Sequence, residues 1–325
     1  MNGLRRLLLM AAPQTVGGQA VLEGVMMRRG SRLAVAVRKP SGEIDVQSRP
    51  WRSLGLGRLA RIPFVRGFPV LVETMVNGVT SLNHSARVAL EEEAKAEGKG
   101  SEMSNWALAG TVVFAFAMAL GLFVVLPHLA SMGLTSIGLA GDLDSLSFHA
   151  WDGVIKLAVF ILYILAISLM PDIRRVFQYH GAEHKSIWAY ESSGDVSPAL
   201  AAGHSRLHPR CGTTFLLFVV AFSILLFAVL VPLVLSVWSP ESTVLRHAWT
   251  LVVKLGLMVP VSCLAYELIK VSGKLGNSFL GRMLSAPGMG MQMLTTYEPD
   301  ESQLEVAEAA LRAAVGLERK TEAAA

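Results

Sequence analysis

The residues best equipped for chemistry lie in one short stretch near the middle of the chain. His180 and His184 are four apart, so on a helix both imidazoles project from the same face. Glu183 sits between them in the order H-x-x-E-H, the reverse of the H-E-x-x-H zinc motif. Two neutral imidazoles can hold a divalent ion, and a neighbouring carboxylate can take a proton from the water that ion activates. Glu183 is therefore the expected general base. Further ligands are needed, and the downstream segment SRLHPRCGTTF offers His208 and Cys211 at H-x-x-C spacing. Zinc is favoured, since imidazole and thiolate both suit it. His204, Glu191 and Glu267 are further candidates.

Clustering gives the motif its weight. Four of the eight histidines (180, 184, 204, 208) and one of the two cysteines share this stretch. A second reading of the same residues is a hydrogen-bonded polar plug between helix ends. Arg206 and Arg210 beside His208 could hold an anionic headgroup or phosphate, although a simple excess of cytosolic positive charge accounts for them too.

A helix from about Asp172 to Glu191 would place Phe177, His180, His184, Trp188 and Glu191 on one stripe. Apolar runs flank it on both sides. The 325 residues are 52% hydrophobic and only 17% charged, with mean hydropathy +0.48. A soluble domain carries about a quarter charged residues, so the balance points to a membrane protein. Four runs are candidate spans: Trp106–Leu126, Val154–Met170, Phe215–Val237 and Trp249–Tyr266. A crossing helix needs about 20 largely apolar residues. Pro127 and Pro171 read as span ends, and Trp151 as an interfacial anchor. Lys156 and Lys254 read as lying near outer span ends, where long stems can snorkel to the surface.

Orientation follows from lysine and arginine in the connecting loops. The loop His128–Asp152 has none, Asp172–Thr214 has five, and Trp238–Ala248 has only Arg246. Both termini and the histidine-bearing loop are thus expected in the cytosol. Basic residues beside apolar spans fit a lipid surface, and no RNA-binding motif is present. Cys263, inside an apolar run, reads as a small buried hydrophobe. The apolar run Leu7–Ala12 is short for a signal peptide and is followed at once by Pro13, so no cleavage is expected.

Before the spans, Arg32–Lys39 alternates Leu33, Val35 and Val37, and Glu43–Gln47 resumes after the turn Pro40-Ser41-Gly42. This predicts a half-buried β-hairpin, with Ala20–Met26 as a possible third strand. Glu23 reads as a strand-face carboxylate paired with an arginine. Phe68–Leu90 carries Val72, Met75, Val76, Val79 and Leu82 at helical spacing, an amphipathic helix lying on the membrane or capping the bundle. Glu91–Gly100 reads as a charged linker. After Lys270 a glycine-rich, flexible tail leads to a helix starting near Asp300 or Glu301.

The expected fold is thus an α-helical membrane protein of about four transmembrane helices with a small cytosolic α+β part. Its regions are an N-terminal part (1–105), the membrane part (106–268) and a C-terminal tail (269–325).

Four stretches, GGQAVLEGVMM, RVFQYHGAEHKSIWAYE, SRLHPRCGTTF and LTTYEPDESQLEVAEAAL, resemble the YqhQ-like bacterial membrane proteins, a domain of unknown function. The resemblance runs from about Gly17 to Leu311. It implies a multi-pass protein of the cytoplasmic membrane, sometimes labelled a predicted metal-dependent enzyme. The functional expectations are then a metal-dependent membrane protein, with a hydrolase as the activity considered, or a non-enzymatic assembly or partner-binding factor. A small transporter ranks last, because the ionisable residues Lys156, Lys254 and Glu267 read as lying near span ends rather than at the midplane.

Overall fold

A computed structural model describes residues 16–55, 62–96, 105–276 and 278–317. The short apolar run Leu7–Ala12 and residues 97–100 lie outside the described residues, and Glu91–Ala96, read as charged linker, is helical.

The N-terminal part is a four-stranded antiparallel meander in chain order: β1 (Val16–Val21), β2 (Gly24–Arg29), β3 (Arg32–Arg38) and β4 (Ile44–Pro50). The hairpin expected at 32–47 is present as β3 and β4, with Val37 opposite Asp45. Ala20–Met26 is not a third strand. It holds the end of β1, a two-residue turn at Leu22 and Glu23, and the start of β2, with Val21 paired to Gly24 across the turn. Glu23 therefore lies at a hairpin corner with φ of +50° rather than on a strand face, though its arginine partner exists. β3 is also not half-buried: Leu33, Ala34, Val35, Ala36 and Val37 are all enclosed. Both sheet faces are covered, so the apolar alternation of β3 serves two cores rather than one.

One face packs on α1 (Gly67–Ala96) through Val21, Met26, Leu33, Val35, Val37, Trp51 and Val88. On this helix the buried side is polar. Asn77 exchanges hydrogen bonds with the Arg52 backbone at 3.1 and 2.9 Å, and Ser81 accepts from Arg49 at 3.0 Å. The apolar stripe Met75, Val76, Val79 and Leu82 points outward.

The other face of the sheet meets two helices, α5 (Pro171–Ser193) and α10 (Glu301–Val315), over a core of Val25, Met27, Ala34, Ala36, Tyr179, Leu304, Val306 and Leu311. α10 starts where expected, with Asp300 and Gln303 forming a reciprocal capping box.

Among the described residues, four helical stretches are long and apolar enough to cross a membrane: 110–136, 146–168, 212–237 and 243–275. Each is longer than its sequence reading, for a local reason. The first combines α2 (Asn105–Leu120), a π-helical turn Gly121–Val125 and α3 (Leu126–Ser136). Pro127 does not end the helix, because the π turn resets the hydrogen bonding just before it and places the proline in the first turn of α3. α4 (Leu146–Ser168) begins at Ser145, whose side chain accepts the Phe148 N–H, so His149 and Asp152 are helical rather than loop residues. α7 (Gly212–Val237) starts at Cys211, and α8 (Thr243–Leu275) runs past its expected end.

A short α6 (Pro198–Ala202) lies between α5 and α7. The glycine-rich stretch after Lys270 is mostly helical, finishing α8 and forming α9 (Phe279–Thr295). Small residues there permit close packing: a Cβ on Gly288 would lie 2.1 Å from Thr214 Oγ1 on α7. Lys156 and Lys254 do not snorkel. Both are buried, and both reach Asp152.

Candidate metal centre

α5 carries the histidine pair as expected, and its lower turns are held between the sheet, α10 and the segment that follows α9. Gly181 makes this possible. A Cβ there would sit 2.1 Å from the Tyr297 carbonyl oxygen, so the strand-like run after Thr295 lies directly on the helix. The Tyr297 N–H also donates to the Phe177 carbonyl at 2.9 Å. That close approach brings the last carbonyl of α9 to the first histidine: His180 Nδ1 donates to Thr295 O at 2.8 Å. One turn on, His184 Nδ1 donates to Arg206 O at 2.6 Å.

With each Nδ1 committed as a donor, each Nε2 presents a lone pair. Both rings address the same atom. His180 Nε2 lies 3.2 Å from Cys211 Sγ, and the His184 ring lies beside the same sulfur. The donor atoms of His180, His184 and Cys211 all fall within 4.8 Å of one another. A single thiol proton can serve one imidazole lone pair, not two, so the arrangement suits a cation. Ligand atoms on a zinc tetrahedron stand roughly 3.3–3.8 Å apart, which small ring and thiol rotations would reach.

Cys211 caps α7, with the Thr213 N–H and hydroxyl at 3.4 and 3.3 Å from its sulfur. Burial pushes this thiol up, but His184 and the two Thr213 donors outweigh burial and leave it below the ordinary thiol range. Burial holds the His184 imidazole below its ordinary value, keeping it neutral. Glu183 is buried against β1, where a Cβ on Gly18 would come within 2.9 Å of its Oε1. Burial is the main reason that its carboxyl is pushed up to about 8, and His180 and, to a lesser degree, the Gly18 N–H only partly offset it.

The family profile matching residues 62–317 is described as "Protein of unknown function (DUF1385)". The chain belongs to the DUF1385 family. This DUF1385 chain is 31% identical over 307 residues to "Uncharacterized protein YqhQ" of Bacillus subtilis (strain 168), covering 91% of this chain and 90% of that protein. No solved structure matches. The family region spans the histidine helix, Cys211, α9 and α10, so every donor of the cluster lies within it.

Other expected residues of this DUF1385 member fall elsewhere. His208 is outside the three-donor cluster. Its backbone is clamped by Gln292 at 2.8 and 2.9 Å, its Nδ1 accepts the Arg210 N–H at 3.3 Å, and its Nε2 stands 3.9 Å from Glu191. The ring packs on Trp188. Glu191 pairs with Arg210, and His204 reaches only the Ser192 hydroxyl at 3.3 Å. Glu267 is bound bidentately by Arg66 at 2.6 and 2.5 Å and accepts the Phe64 N–H, which ties the entry to α1 onto α8. Arg206 and Arg210 are both engaged within the chain, by Thr296 and Glu191. Sequence reasoning missed the carbonyls of Thr295 and Arg206 that orient the imidazoles. Backbone acceptors leave no mark in side-chain types, and only Gly181 hints at the close approach.

Proposed function

We propose that this chain is a four-span membrane protein whose histidine helix faces the cytosol and, with Cys211, binds one divalent metal ion, zinc favoured. His180 Nε2, His184 Nε2 and Cys211 Sγ are its ligands. The observation that carries this reading is the pair of lone pairs held toward one sulfur by two Nδ1-to-carbonyl bonds, the support commonly found behind metal-bound histidines. Three protein ligands leave a fourth position open, the pattern of catalytic rather than structural zinc. A bound zinc ion would supply Lewis acidity there, and metal-assisted hydrolysis is the reaction class that follows. Glu183, one residue from a ligand and enclosed with the cluster, is the proton carrier in this reading. A nearby cation favours its ionised form.

Membrane insertion is supported by the four long apolar helices, whose surfaces are mostly turned outward. The outward apolar stripe of α1 suits the headgroup boundary. The five basic residues between 172 and 214 support a cytosolic site. Cobalt substitution tests the ligand set directly. Full-length protein loaded with Co²⁺ should show a thiolate charge-transfer band that is missing in Cys211→Ser and displaced in His184→Ala. A spectrum unchanged in Cys211→Ser would remove Cys211 from the site, and no band in the wild type would remove the site itself.

A further inference from the structure

A second group of ionisable residues lies in the other half of the molecule, among the four apolar helices. Asp152 sits between two lysines: its Oδ1 accepts from Lys254 Nζ at 2.8 Å and its Oδ2 from Lys156 Nζ at 3.4 Å. All three side chains are at least 94% buried. Lys254 Nζ also donates to His128 Nδ1 at 3.1 Å, and His128 Nε2 lies 3.0 Å from His247 Nδ1. His128 is fully enclosed, whereas His247 is only half-buried. Phe148 and Phe227 wall the centre, with Lys156 4.5 Å from the Phe227 ring centre.

Lys156 is the eleventh of the 23 residues of α4, so the centre is not at a helix end. At 1.5 Å per residue it lies roughly 15 Å from the start of α4. Charges placed so deep among apolar helices are costly unless they are paired or used. Here the pairing is incomplete, since two ammonium groups share one carboxylate. The fully protonated centre carries one positive charge, and loss of one proton makes it neutral. An unbroken series of hydrogen bonds leads from that centre to the half-exposed ring of His247.

We propose that Asp152, Lys156 and Lys254 form a proton-binding centre, loaded and unloaded through His128 and His247 from the face opposite the histidine–cysteine cluster. In the unloading direction the Lys254 ammonium gives a proton to His128 Nδ1. His128 passes its Nε2 proton to His247 Nδ1, and His247 releases its own Nε2 proton to water. Lys254 is left as a neutral amine, and both imidazoles end neutral in the other tautomer. No redox partner is needed. The charged and titratable groups facing this path are His128 from α3, His149, Asp152 and Lys156 from α4, and Arg246, His247 and Lys254 from α8. Asp144 pairs with Arg246 at the mouth. α7 contributes only the Phe227 ring. No further titratable group is hydrogen-bonded to the centre on its other side among the described residues, so the geometry gives access from one face.

The test separates equilibrium from rate. Full-length protein in phosphatidylethanolamine–phosphatidylglycerol nanodiscs, weakly buffered, is taken from about pH 6 to about pH 10 with an indicator dye reporting released protons. Lys254→Met should release about one proton fewer than wild type. His247→Phe and His128→Phe should still release the proton of the lysine centre, but at least about tenfold more slowly after a pH jump. Equal stoichiometry in Lys254→Met, or an unchanged rate in His247→Phe, would overturn the proposal. His247 is half-exposed and its variant keeps the ring volume, so the rate measurement decides even if Lys254→Met fails to fold.

Discussion

At the scale of single residues, the cluster depends on which nitrogen of each histidine is free. His180 and His184 expose Nε2 because Thr295 and Arg206 carbonyls hold Nδ1. His208 differs: its Nδ1 accepts a backbone N–H and its Nε2 faces Glu191. His208→Ala is therefore expected to leave metal content unchanged while loosening the Trp188 packing, which metal analysis and thermal unfolding of the same sample would separate. Glu23 makes a similar point about corners. It occupies a left-handed conformation that glycine adopts freely, yet its carboxylate takes the Arg175 guanidinium at 2.6 and 2.5 Å. The H-x-x-E-H spacing made the pair of imidazoles legible from sequence, and the H-x-x-C segment offered Cys211 and His208 alike. It could not separate the two, because H-x-x-C spacing in a loop does not fix ring direction.

Among the elements, the contact between α5 and the run after α9 sets the geometry of the site. Gly181→Ala would drive a methyl into Tyr297 O and push away the segment that carries the Thr295 carbonyl. The expected result is about 10–100-fold weaker metal binding by chelator competition, the usual scale for losing an orienting partner. The core between the sheet, α5 and α10 is a separate matter of stability. Leu311 is fully enclosed there, so Leu311→Ala should cost about 2–5 kcal/mol in denaturant unfolding with little change in the proposed ligand cluster. The existence of β3, β4, α5 and α10 was readable from periodicity, turn residues and the Asp300 cap. The continuity of the first span was not, because Pro127 reads as a stop unless a π turn precedes it. The helicity of the glycine-rich stretch was hidden too, since those glycines serve close helix contact rather than flexibility.

For the whole molecule, the proposed arrangement sets one chemical centre at the edge of the helical layer and a second one inside it. The histidine–thiol cluster sits where α5, α7 and α9 meet the small α+β part. The lysine–aspartate centre sits deep between α4 and α8. Four crossings put the sheet and α10 on the same side. Gln47→Cys, exposed on β4, is then expected to react with a membrane-impermeant maleimide only after cell lysis, whereas Glu241→Cys, in the turn before α8, should react in intact cells. The reverse pattern would invert the orientation. Composition made the apolar helices easy to find, but the buried charges looked like end-of-span lysines because the sequence understated where α4 and α8 begin.

The most direct measurement is zinc content per full-length chain after zinc loading and removal of free ion. The account predicts about one zinc per wild-type chain, retained in His208→Ala and lost in folded His180→Ala, His184→Ala and Cys211→Ser. A wild type that retains no zinc, or the same zinc content in all four variants, would contradict it.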